Sequence, residues 1–63
     1  MLEYRLYLLD RDGHVSRGEA FVSENDESAM MHARQISDGH TAEVWQYARV
    51  VGKITGYLPA HAP

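Results

Sequence analysis

Two stretches of the chain alternate apolar and polar residues with the period of a β-strand, and a helical pattern lies between them. In Leu2–Leu9, Leu2, Tyr4, Leu6 and Leu8 fall on one face, and Glu3, Arg5, Tyr7 and Leu9 on the other. Both faces are partly apolar, which suits an interior strand. Asp10-Arg11-Asp12-Gly13 supplies a turn, because Asp-Gly tolerates the backbone of a tight hairpin. His14 to Val22 continues as a second strand, with Gly18 marking a bulge. Its charged Arg17 and Glu19 fit a sheet edge, where charge discourages pairing with other chains.

The period then changes. Asn25 is a good N-cap, and Asp26 and Glu27 favour the positive end of a helix dipole. Ala29, Ala33 and Ile36, with Met30 beside them, make a narrow apolar stripe on a helix from Asp26 to about Ser37. Asp38-Gly39 ends it, with Gly39 in the left-handed position. Alternation returns in Thr41–Gln46 and, after a tight turn near Gln46-Tyr47-Ala48, in Arg49–Thr55. Here Val44, Val50 and Ile54 are expected to face the helix, with Arg49, Val51 and Lys53 turned away.

The element order β-β-α-β-β predicts an α+β fold. It is one four-stranded antiparallel sheet with the first and third strands inside and one helix packed on one face. Residues 1–55 form the single domain, and 56–63 a loose C-terminal tail. One helix cannot cover both faces. The uncovered face is expected to carry Arg5, Tyr7, Leu9, Glu43, Trp45, Arg49, Val51 and Lys53, and partly apolar surfaces of this kind mark binding sites.

Composition sharpens this in three ways. A chain of 63 residues has a marginal core, and without cysteine it has no disulfide or thiolate-metal staple. That favours a homodimer. Nine acidic against six basic residues give no general attraction to nucleic acid. No apolar run approaches the ~20 residues of a membrane span, and the N-terminus lacks the pattern of a signal peptide, so a cytoplasmic location is expected.

Candidate chemistry is sparse. His14, His32, His40 and His61 fall in a hairpin, a helix, a loop and the tail, with no pair at metal-ligand spacing, so no metal or cofactor is expected. No serine has a nucleophile signature, and no glycines cluster into a phosphate loop. The chain therefore reads as a non-enzymatic protein-interaction module, self-associating or docking on a larger protein. Its expected contact residues are Arg5, Tyr7, Glu43, Trp45, Arg49 and Val51, since Trp, Tyr and Arg are enriched at interfaces. The alternative is single-stranded nucleic-acid binding, with bases stacking on Tyr7 and Trp45.

Tyr4-Arg5-Leu6-Tyr7, Asp12-Gly13-His14, Asp38-Gly39-His40, Glu43-Val44-Trp45-Gln46 and Ala48-Arg49-Val50-Val51 together resemble the pattern of a group of very short proteobacterial hypothetical proteins. The resemblance spans residues 2 to 54 and implies a bacterial, cytoplasmic setting. It carries no activity and no functional residue. In that group a Gly often occupies the turn after the Trp-Gln pair, where this chain has Tyr47.

Overall fold

The structure is a computed structural model, and it describes residues 1–57. Strands β1 (Leu2–Leu9) and β2 (Val15–Ser23) are followed by helix α1 (Asp26–Ser37), then by β3 (Ala42–Gln46) and β4 (Arg49–Ile54). The four strands form one antiparallel sheet in the order β2-β1-β3-β4, so the expected α+β fold is present with β1 and β3 inside. The expected tail beyond residue 57 lies outside the described residues. Up to that point the chain stays attached: the N–H groups of Gly56 and Tyr57 donate to Thr41 Oγ1 (3.1 Å) and to the Gly39 carbonyl (3.0 Å).

The core lies between α1 and one sheet face. Tyr4 and Leu6 from β1, Ala42 and Val44 from β3, Ile54 from β4, and Ala29 and Ala33 from the helix are all buried. Leu8, Phe21, Met30, Ile36 and Val51 pack around them. Two alanines at helical spacing let the helix axis approach the sheet closely, and Gly52 gives the Met30 side chain room to lie against β4. Phe21 stacks on Tyr4 with centroids 5.7 Å apart, and takes the edge of His32 at 5.0 Å. These contacts extend the core toward the β2 edge.

Both helix ends are capped by side-chain or left-handed backbone geometry. Asn25 Oδ1 accepts from the Ser28 N–H at 2.8 Å, satisfying one of the donors left free in the first turn. At the other end, Gly39 has the expected positive φ of 87°, and Asp38 precedes it at 49°. The Asp38 N–H closes on the Arg34 carbonyl, and that of His40 on Ser37. Aspartate tolerates this region better than most residues, which makes the two-residue exit feasible.

Two irregularities differ from the sequence reading. The β2 bulge lies between the Leu8–Arg17 and Leu9–Val15 pairs, leaving Ser16 as the extra residue, whereas Gly18 pairs regularly with Tyr7. The missing side chain at Gly18 makes room for the Tyr7 ring, since a Cβ there would lie 3.3 Å from two ring carbons. The second bulge is in β4. Gln46 pairs with Arg49 and Trp45 with Val50, whereas Val44 pairs with Gly52. Val50 therefore shares the face of Trp45 instead of facing the helix. Arg49 turns to the helix side, and Val51, the extra residue, packs against the buried cluster.

The β3–β4 turn places Tyr47 at φ 55° with 81% of its surface exposed. A tyrosine gains nothing there to offset the steric cost of left-handed backbone, about 1–2 kcal/mol. The Tyr47→Gly variant is expected to be more stable by about 0.5–1 kcal/mol, read as a higher urea midpoint at unchanged slope. An unchanged or lower midpoint would show that the turn relies on the tyrosine side chain.

Candidate interaction face

The sheet face away from α1 is built by register. Arg5 lies directly across from Trp45, and Tyr7 from Glu43. On the outer strands Val22 stands beside Glu3, Ala20 beside Arg5, Val50 beside Trp45 and Lys53 beside Glu43. Residues opposite one another in an antiparallel pair share a face. One row across the surface therefore runs Ala20, Arg5, Trp45, Val50, an arginine set among apolar residues, with Tyr7 and Leu9 further along β1. No part of the described chain packs over it, and Val22, Val50 and Val15 are 52%, 44% and 58% exposed.

Its polar groups are partly tied together. Trp45 Nε1 donates to Glu43 Oε1 at 3.1 Å, which fixes the indole along β3. Lys53 Nζ stands 3.8 Å from Glu43 Oε2. Arg5 makes no hydrogen bond or ion pair with any described residue and is exposed beside the indole. No pocket indents the described residues, so the surface is a sheet face and not a cleft.

Of the expected contact residues, Arg5, Tyr7, Glu43 and Trp45 come together on this face. Arg49 and Val51 do not, because the β4 bulge removes them. Val50, Val22 and Ala20 take part in their place. Their signal was present in the sequence as exposed-strand apolar residues, but Val50 could be placed only once the bulge was known.

Arg49 instead belongs to a network on the covered side. Its guanidinium makes a fork to Asp26, at 2.9 Å to Oδ2 and 3.1 Å to Oδ1, and it also donates to Gln46 Oε1. The buried Tyr4 hydroxyl donates to the same Asp26 carboxylate at 2.9 Å. The Arg49 guanidinium, then the Tyr4 hydroxyl, hold the Asp26 carboxyl below its ordinary range. Burial, followed by the bond to Asp26, pushes the Tyr4 phenol up.

A second cluster combines one histidine with two aspartates. In the β1–β2 turn, ligand atoms of Asp10, Asp12 and His14 lie within 4.8 Å of one another. Asp10 Oδ1 accepts the N–H groups of both Asp12 and His14 at 2.9 Å, and these backbone donors, His14 first, lower its pKa. The carboxylate thereby closes the turn as an Asx cap, a role complete without an ion. Spacing of alternate residues across a tight turn was the available signal.

No protein-family model, no curated protein and no solved structure matches the chain. Among the described residues no helix is long and apolar enough to cross a membrane.

The covered-side network predicts a pH dependence with two limbs. Asp26 has a depressed folded pKa, so its contribution is present above the unfolded value near pH 4 and is lost as acid titrates the folded carboxyl. Tyr4 has a raised one, so its contribution is full below about pH 10 and is lost as base ionises the folded phenol. Urea midpoints measured across pH are expected to fall on both limbs. Tyr4→Phe is expected to flatten the alkaline limb and keep the acid one. An alkaline limb unchanged in Tyr4→Phe would remove the phenol from this account.

Proposed function

We propose that the chain is a non-enzymatic protein-interaction module that works through the sheet face around Trp45, by self-association or by docking on a larger protein. The observation that carries this is the location of Trp45. The chain's only tryptophan stands on the face that α1 leaves uncovered, bonded to Glu43 and beside Val50 and Arg5. Aromatic residues with a neighbouring arginine and an apolar surround supply most of the binding energy at protein interfaces. Tyr7, Leu9, Val22 and Ala20 give such a surround, while Arg5, Glu43 and Lys53 supply polar specificity. The setting proposed with it is a bacterial cytoplasm, on the strength of the sequence resemblance.

Single-stranded nucleic acid is the second reading, and it is less well supported by this arrangement. With Arg49 turned to Asp26, the cations on the face are Arg5 and Lys53, and Lys53 faces Glu43. Glu3 and Glu43 on the same face would repel a phosphate backbone.

A photoreactive benzophenone side chain tests the assignment of the face. Placed at Val50, it is expected to give one discrete cross-linked product in the producing cell, weakened by Trp45→Ala. Placed at Met31, on the exposed side of the helix, it is expected to give none. Equal products from both positions, or none from Val50, would overturn the reading.

A further inference from the structure

We infer that the occupant of the open face is a second copy of this chain, stacked face to face about a two-fold axis that runs along the strands between β1 and β3. This rests on the reading of that face as the interaction surface, and it names the partner.

Charge is the first argument. The chain carries a net charge of −3, so two copies repel each other over most approaches. The open face is different, because Glu3 and Glu43 are matched there by Arg5 and Lys53. Copies of an acidic protein meet with least repulsion through a neutral face. A strongly acidic or basic ligand would find as many like charges as opposite ones.

The second argument is the pattern within the face. Arg5 on β1 is level with Trp45 on β3, and Tyr7 with Glu43. A two-fold axis between those strands lays β1 of one copy over β3 of the other. Arg5 then stacks on the other copy's indole, an attractive arrangement for a guanidinium, and of the two cations on this face it is the one with no ion pair among the described residues. The Tyr7 hydroxyl meets the other copy's Glu43 carboxylate. The same operation brings Ala20 on β2 over Val50 on β4, apolar against apolar. Every contact is made twice, as two-fold symmetry requires.

Size sets the strength. Four strands about 4.8 Å apart and six residues long make a face of roughly 400 Å² in plan. A single sheet face of that extent lies at the small end of protein interfaces, and a dissociation constant in the micromolar range is expected.

Sedimentation equilibrium between about 5 and about 500 µM brackets that constant, and the mass is expected to rise from one chain toward two and stop there. Arg5→Glu, at an exposed position, is expected to weaken the dimer at least tenfold, while Met31→Ala leaves it near the starting value. Because the chain has no cysteine, a mixture of Ala20→Cys and Val50→Cys chains reports the axis. Oxidation is expected to join the two variants to each other faster than either to itself. A monomer at every concentration, with a benzophenone product of some other mass from Val50, would overturn the second copy and leave the face reading standing. A monomer with no such product would end both. A dimer indifferent to Arg5→Glu, or a mixture that fails to cross-link, would overturn this arrangement.

Discussion

A twelve-residue helix lies across one face of a four-stranded sheet, and no other described element covers the opposite face. The helix contacts all four strands from that side. It is anchored there by Ala29 and Ala33, whose small side chains bring the backbone close to Tyr4, Leu6 and Val44. The chain spends its one amphipathic helix on that side. The other face keeps a tryptophan, a tyrosine and several aliphatic residues, and the described residues hold no second helix to place over them.

The start of the helix is where the covered side is fastened. Asp26 is both the first residue of α1 and the acceptor for Tyr4 from β1 and Arg49 from β4. A carboxylate at a helix N-terminus also interacts favourably with the helix dipole. One side chain thus joins an inner strand, an edge strand and the helix. The same contact has a consequence for the open face. Drawing Arg49 to the helix side removes a cation from the exposed surface and leaves the charges there balanced.

The alternation of β1 and the Asn25 cap made the element order, the sheet order and the faces of β1 and β3 legible in the sequence, because local pattern and tertiary packing agree there. The face of β4 was misread, although the residues held the information. The two-residue turn Tyr47-Ala48 pins Gln46 to Arg49, and burial of Ile54 pins it to Ala42. Between those pins β3 has four steps and β4 has five, so one residue must bulge. Alternation read along β4 alone cannot show this, and so Val50 was assigned inward and Arg49 and Val51 outward. The left-handed Asp38 and Tyr47 were hidden for a related reason. Neither is a glycine, so the residue type gives no sign of the positive φ found at each.

Emission from Trp45 tests the claim that the uncovered face acquires a cover from a second copy. The indole belongs to the face itself, and the chain holds no other tryptophan to confuse the signal. If the account is right, the emission maximum moves to the red as the protein is diluted through the micromolar range, tracking the loss of the dimer. A maximum fixed at the position of a hydrated indole, at every concentration, would contradict it.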